Sequence, residues 1–263
     1  MRRLVLAATL LLSAFTASHA HAQGFAALVS PPRFEIGGKP GATVRQVVEI
    51  TNRSAAAGRF RLHTADFVLA ADYGVTFHDE LMPGSCRPWV AIERPVVELP
   101  AGGTMRYRFE VQVPADAATG ECRFALMVEG DEPSVAKAGA MQLPIVGRIA
   151  VIVYVKVGDA EPQIEVFGPE VVTHNGQQVP ALRVHNGGNA HTRMSGFLTG
   201  KDASGQKYDF TPSDLPILPG EVREVVLAPS TADNPNPTLT FPVSVKGTLE
   251  WANQSIPLDE RFK

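Results

Sequence analysis

Residues Met105 to Val113 read MRYRFEVQV, and apolar side chains alternate along them with charged or amide side chains. Pro114 follows directly and ends the run. Strict alternation over such a stretch predicts a β-strand with one face in a protein core and the other in solvent. The expected apolar face consists of Met105, Tyr107, Phe109, Val111 and Val113.

Similar runs recur on both sides of this strand, separated by turn residues from a chain with 23 glycines and 21 prolines. No long segment has the apolar spacing of an amphipathic helix, so the pattern predicts an all-β protein. Seven or eight strands precede Gly158, and a shorter series follows Pro162. We predict two immunoglobulin-like β-sandwich domains in series, residues 23–158 and 159–263, joined by a hinge or linker at Gly158–Pro162.

The first residues have the pattern of a secretory signal peptide. Arg2 and Arg3 precede the apolar run Leu4–Phe15, and the small residues after it end in Ala20-His-Ala22. We predict a signal peptide over residues 1–22, cleaved after Ala22. The alternative is an uncleaved anchor, although the run is short for one. No later stretch approaches the roughly 18 apolar residues of a spanning helix, so no transmembrane segment is expected.

The charge balance gives no support for a nucleic-acid partner. The chain has 24 basic and 27 acidic residues, and the predicted signal peptide contains two of the basic ones and none of the acidic ones. The remaining chain is therefore slightly acidic, whereas nucleic-acid binding usually requires a basic surface.

Cys86 and Cys122 are the two cysteines of the chain. In an oxidising compartment an even pair is most simply a disulfide bond, which we predict here. Their spacing differs from that of C-x-x-C metal and redox sites. The alternative is a pair of buried thiols that remain unpaired.

Motifs of catalysis or metal binding are absent from the sequence. It contains no G-x-S-x-G, no H-E-x-x-H and no glycine-rich phosphate loop. Asp202–Asp209 resembles a metal loop superficially, but a hairpin turn explains it better. His185 and His191 flank a Gly/Asn turn, and two imidazoles without a third ligand make a poor zinc site. We therefore expect surface or turn histidines, no metal, no cofactor and no enzymatic activity.

The segment Ala140–Val157 reads AMQLPIVGRIAVIVYVKV and predicts a long final strand of the first sandwich. At ~3.3 Å per residue it would extend about 55 Å if unbroken, so Gly147 is expected to mark a kink or a change of sheet. Pro144 cannot donate a ladder hydrogen bond, which favours an exposed edge. Either this edge receives a binding partner, or both sides are covered and the apolar side chains fill the core.

Three segments resemble the PapD-like periplasmic pilus-assembly chaperones: Ser30-Pro-Pro-Arg-Phe-Glu-Ile36, Leu99-Pro-Ala-Gly102 and Gly147-Arg-Ile-Ala-Val-Ile-Val-Tyr-Val155. The similarity covers residues 25–158 and, more faintly, 163–260. It implies a periplasmic, non-enzymatic chaperone with a cleft between two angled domains. Such a chaperone binds and caps pilus subunits by donor-strand complementation, a form of β-augmentation, and an outer-membrane usher can be a further partner.

The resemblance also implies site residues. Met141, Leu143 and Ile145 occupy the donor-strand positions, and Arg33 matches the first-strand arginine that holds the subunit's C-terminal carboxylate. The family's second anchor, a lysine, falls on Ala150 here, and Arg148 is the expected substitute. Two other functions remain open: an extracellular structural or adhesive protein without chaperone activity, and an enzyme or ligand-binding domain with a site near His185 and His191.

Overall fold

The computed structural model describes residues 25–70, 74–131, 134–138 and 141–263, and for 134–138 and 141–144 it describes the backbone alone. The predicted signal peptide, residues 1–22, lies outside this part of the chain. Apart from a short 3-10 helix at Arg87–Trp89, the regular elements described are β-strands. Among these residues, no helix has the length and apolar character needed to cross a membrane. The all-β prediction is confirmed.

Residues 27–157 form two packed sheets and a separate hairpin. The strands are β1 (Ala27–Ser30), β2 (Arg33–Gly38), β3 (Thr43–Asn52), β4 (Gly58–Leu69), β5 (Val75–His78), β6 (Val90–Ile92), β7 (Val96–Leu99), β8 (Thr104–Gln112), β9 (Gly120–Gly130), β10 (Ser134–Ala138), β11 (Met141–Ile145) and β12 (Arg148–Val157). The alternating stretch MRYRFEVQV makes up most of β8, which lies inside a sheet of order β1-β3-β8-β6. The other sheet has the order β2-β12-β9-β4-β5, with β7 also paired to β4.

The first strand pair connects the two sheets. Pro31 and Pro32 separate β1 from β2, since neither residue can donate a ladder hydrogen bond. β1 pairs antiparallel with β3, whereas β2 pairs parallel with β12, so the chain passes from one sheet to the other. The core between the sheets includes Val48, Ile50, Leu62, Tyr107, Phe109, Val111, Phe124, Leu126, Val151, Val153 and Val155.

The predicted long strand is interrupted at Val146 and Gly147. Its first part, β11, pairs with β10 in a two-stranded hairpin, and its second part, β12, lies between β2 and β9. A side chain at Gly147 would overlap the Phe25 ring, which packs against that residue. Of the two outcomes expected at Gly147, a kink or a change of sheet, the structure shows the change of sheet.

Cys86 and Cys122 form the predicted disulfide, with their Cα atoms 5.8 Å apart. Cys86 is fully buried just before the 3-10 helix, and Cys122 lies on β9. The bond therefore fixes the long connection between β5 and β6 to the sheet.

Residues 164–262 form a second sandwich with its own core. Its strands are β13 (Ile164–His174), β14 (Gln177–Asn186), β15 (Ser195–Lys201), β16 (Lys207–Pro212), β17 (Val222–Ser230), β18 (Val243–Trp251) and β19 (Gln254–Phe262). They follow the order β13-β14-β17-β16-β15-β18-β19. β17 pairs with β14 through Val222–Val226 and with β16 through Leu227–Ser230, so it belongs to both layers.

The core of the second sandwich is separate from that of the first. It includes Leu182, Met194, Leu198, Phe210, Ile217, Leu249 and Phe262. The predicted pair of sandwiches is thus confirmed, and residues 158–163 connect β12 to β13. The domain limits 23–158 and 159–263 stay predictions. The hairpin turn expected over Asp202–Asp209 is shorter than expected, since β16 already begins at Lys207.

Candidate partner-binding site

The outer face of the β2-β12-β9-β4-β5 sheet contacts the second sandwich. Side chains alternate along a strand, so the residues of β12 between the buried valines point outwards, and Arg33 and Glu35 of β2 lie beside them. Ile152 is opposite Arg33, and Tyr154 is opposite Glu35. This face has a small apolar cluster of its own, which Leu218 of the second sandwich completes: Ala65, Phe67, Ala125, Met127 and Tyr154.

A buried histidine–carboxylate pair connects the two sandwiches. His191 Nδ1 lies 2.7 Å from Glu121 Oε2, and the His191 backbone N–H donates to Glu121 Oε1 at 3.2 Å. Both side chains are 5% exposed. The imidazole also stacks on the Tyr154 ring, with centroids 3.8 Å apart. Burial raises the pKa of the Tyr154 hydroxyl, which remains neutral.

Two arginines, one from each sandwich, meet two carboxylates at this junction. Arg33 Nε lies 3.0 Å from Glu35 Oε1, and Arg33 Nη1 lies 3.9 Å from Asp214 Oδ2. Arg193 contacts the same two groups, with its Nε 3.9 Å from Glu35 Oε1 and its Nη1 3.7 Å from Asp214 Oδ1. The two guanidinium groups therefore converge on the same pair of acidic side chains.

A cleft of about 310 Å³ opens beside these groups. Its walls come from both sandwiches and include Glu35, Glu121, Tyr154, Lys156, His191 and Arg193. Glu35 and Asp214 are 51% and 72% exposed, whereas Arg193 is 17% exposed. A ligand carboxylate could therefore displace the exposed acidic partners while the arginine from the second sandwich stays in place.

Arg148 lies on the same face as Arg33 but further along it. It is four residues before Ile152, the neighbour of Arg33, which corresponds to about 13 Å along the strand. Its guanidinium instead lies 5.7 Å from the centre of the Phe77 ring. The two guanidinium groups thus have different partners here, since Arg33 contacts Glu35 and Asp214 whereas Arg148 lies over Phe77. The joint anchor of Arg33 and Arg148 therefore stays a prediction about the partner-bound protein.

The predicted donor residues lie on β11. Among the described strands, β11 pairs only with β10, in a register that places Leu143 opposite Ala136. The side chains of Met141 and Leu143 lie outside the described part. Ile145 is 49% exposed and the following Val146 is 50% exposed, so this end of the strand presents apolar surface.

The histidines that the sequence placed near a turn have different surroundings. His185 stacks against Phe167 with ring centroids 6.2 Å apart. His191 lies in a loop, as one of the two expected positions, but its side chain is buried against Glu121 and is not at the surface. Among the described residues, no group of three His, Cys, Asp or Glu side chains is arranged to hold a metal ion.

No protein-family model matches the chain, and no curated protein matches its sequence. Many solved structures with a related fold are fimbrial chaperones. The class 5 fimbriae chaperone CfaA has 13% identity and a TM-score of 0.49, over 89% of this chain and 99% of that one. The E. coli chaperone DraB has 14% identity and a TM-score of 0.46, over 92% and 98%. Because these sequence identities and TM-scores are low, the function of this chain has to be inferred from its own residues.

The sequence singled out Arg33 and His191, but the other residues of the junction between the sandwiches, and the contacts among them, were missed. His191 and Glu121 are 70 residues apart in the chain, and Arg193 lies in a run with no local motif. Alternation places Glu35 and Tyr154 on the outward faces of their two strands, but it does not reveal what covers those faces. Only the packing of the second sandwich against the first brings these groups together.

Proposed function

We propose that this protein is a periplasmic, non-enzymatic chaperone that binds and caps subunits of a surface fibre by donating a β-strand. The observation that carries the proposal is the strand β11, which pairs with β10 alone among the described strands. It leads through Gly147 directly into β12 at the inter-sandwich face. An incomplete subunit sandwich can add such a strand to its own sheet, taking main-chain hydrogen bonds and alternate apolar side chains.

The donated side chains are those of Met141, Leu143 and Ile145. Their spacing of two residues places them on one side of the strand, as insertion into a partner's core requires. The exposed apolar surface at Ile145 would be buried in the complex. In the free protein the same edge could pair with other chains and cause aggregation. In the complex it is covered by the bound subunit.

The partner's C-terminal carboxylate is held by Arg33. In the free protein this guanidinium contacts Glu35 and Asp214, so the site already binds carboxylate groups. Arg193 shares both contacts and is the better placed second cation, because Arg148 lies about 13 Å further along the strand. An outer-membrane usher would receive the loaded complex.

Co-purification with a fibre subunit tests the proposal. The tagged mature chain is expressed in a periplasm together with the subunit proteins encoded beside its gene, and the captured subunit is quantified. Ile145→Asp should reduce capture at least about tenfold, because it places a charge in an apolar interface. Arg33→Ala should have an effect of similar size through loss of a charge-assisted hydrogen bond.

Two control variants make the same chemical changes elsewhere on the surface, and so separate loss of the site from a general change in surface charge or hydrophobicity. Leu81→Asp changes a residue that is 60% exposed and remote in sequence from the hairpin, and Arg45→Ala removes an arginine that is 78% exposed on the opposite sheet. Both variants should capture the subunit like the wild type. No captured subunit at all, or capture unaffected by Ile145→Asp and Arg33→Ala, would sink the proposal.

A further inference from the structure

A second surface with unpaired charges lies on the outer face of β15, β16 and β18, and it shares no lining residue with the inter-sandwich cleft. Lys201 and Lys207 are directly opposite each other in the β15–β16 register, and both are exposed. In the described part of the chain neither lysine has an ion-pair partner. Like charges in directly opposite positions destabilise a sheet. Such departures from local rules are expected at functional sites.

The two lysines line a cleft of about 680 Å³ whose walls also carry acidic, hydroxyl and amide groups. Asp209 and Asp233 lack ion pairs within the described residues, whereas Lys246 is paired with Asp259 at 2.8 Å. Hydroxyl and amide groups complete the lining: Thr199, Gln206, Ser230, Thr231 and Ser244. A bare anion would be attracted by the lysines and repelled by the aspartates. A ligand with one acidic group and several hydroxyls matches both kinds of charge.

An exposed aromatic ring extends this face. Phe197 is 87% exposed, and it lies four residues before Lys201 on the same side of β15, about 13 Å along the strand. Its cross-strand neighbour is Thr248, so no large side chain of β18 covers it from that position. The ring contributes little to the core of its own sandwich. It is suited to stacking against the apolar face of a sugar ring.

We propose that this face binds an acidic saccharide. Lys201 and Lys207 together hold a carboxylate of the ligand, Asp209 and the neighbouring hydroxyl groups bind its hydroxyls, and Phe197 stacks on a second sugar ring. The charge repulsion between the two lysines is relieved when the carboxylate is bound. This site involves none of the residues assigned to subunit capture, so it does not depend on the chaperone function.

Calorimetric titration of the mature chain with three probes tests the site. Tetragalacturonic acid carries acidic groups and hydroxyls, maltotetraose has hydroxyls alone, and inorganic phosphate has charge alone. Tetragalacturonic acid should bind tightest. Lys201→Thr and Lys207→Thr should each weaken it about tenfold, the loss expected for one hydrogen bond to a charged group. Phe197→Ser should weaken it severalfold, and the control Lys39→Thr, which removes an exposed turn lysine, should change nothing.

Thermal unfolding of the same variants shows whether weaker binding results from a loss of stability. Lys207→Thr removes the cross-strand repulsion and adds a residue with high β-propensity, so its Tm should rise by about 1–3 °C while its binding falls. The proposal is overturned if tetragalacturonic acid does not bind, or if the lysine variants bind it normally. Equal affinity for phosphate or maltotetraose would also overturn it, and so would a lower Tm in both lysine variants.

Discussion

At the residue scale, one asparagine in each sandwich is fully buried and braces the loop that follows it. Each side-chain amide donates at 2.8 Å to the carbonyl four residues later, and again to a carbonyl beside a Leu-Pro turn. Each side-chain oxygen accepts the backbone N–H two residues later. The pairs are Asn52 with Ala56 and Leu99, and Asn186 with Ala190 and Ile217. The two sandwiches thus use the same local arrangement, despite different loop sequences.

Replacing one of these asparagines should therefore be costly. Asn186→Ala leaves the Ala190 carbonyl and the N–H groups of Gln163 and Gly188 without this partner. The Ile217 carbonyl keeps only the longer bond from the Thr192 N–H. We expect the free energy of unfolding to fall by about 3 kcal/mol, measured by urea denaturation. The exposed Asn236→Ala should cost less than about 0.5 kcal/mol. Equal effects of the two substitutions would contradict this role.

Asp202 should make stability depend on pH. Burial alone raises the pKa of its carboxyl, but hydrogen bonds from Ser204, Thr240, Tyr208 and Gln206 outweigh that effect and hold the pKa below its usual value of 3.8. A depressed pKa in the folded state stabilises the protein above the unfolded value. That contribution is lost as the pH falls through the folded value.

Asp202→Asn should accordingly be destabilised by about 2 kcal/mol at neutral pH, because an amide is a weaker acceptor than a carboxylate. Urea unfolding at a series of pH values should show this deficit shrinking below pH 3.8, where the wild-type carboxyl takes up its proton. A deficit that stays constant with pH would show that the carboxylate charge is not what stabilises the loop.

At the scale of elements, the alternation of apolar residues predicted most strands, and Gly147 marked where the long segment changes sheet. The partner of β11 was missed, because Ser134–Ala138 reads SVAKA and carries little strand signal. Periodicity also cannot tell which neighbour a strand pairs with. Pro144 favoured an edge position for this segment. The structure places β11 in a hairpin with β10, outside the main sheet.

Hydrogen exchange should separate the two halves of that segment. Amides of β12 lie between two strands, so they should exchange with protection near that of global unfolding. Amides of β11 have β10 alone as a described strand partner and should exchange at least about a hundredfold faster. Binding of a fibre subunit should then slow the β11 amides selectively. Equal protection of both strands in the free protein would instead favour a covered, structural β11.

At the scale of the whole molecule, each sandwich has its own core, and the two meet through a small polar and apolar junction. The sequence predicted two sandwiches because turn residues interrupt the strand pattern near Gly158. It could not predict their contact, since Leu218, His191 and Arg193 reach the first sandwich from loops whose positions depend on the complete second fold. The site therefore follows from tertiary packing, whereas the fold class follows from local pattern.

The disulfide should contribute a large share of the stability of the first sandwich. It joins cysteines separated by 36 residues, and closing a loop of that size is worth about 4 kcal/mol on the chain-entropy model. The double variant Cys86→Ala/Cys122→Ala should lose about 3–4 kcal/mol in urea denaturation. The wild type under strong reductant should approach the same value. A loss below about 1 kcal/mol in both experiments would argue against this contribution.

The parallel pairing of β2 with β12 also affects the order in which the first sandwich can fold. Arg33 is synthesised long before Ile152, the residue opposite it. β2 therefore cannot pair with β12 until most of the first sandwich has been synthesised. Pairing across such a sequence distance is slow, because the entropy of closing the loop is lost before the strand contacts compensate for it. Within the first sandwich, completion of this sheet is thus the last step in the order of synthesis. The hairpin of β10 and β11, made just beforehand from local contacts, can be ready earlier than the sheet that anchors it.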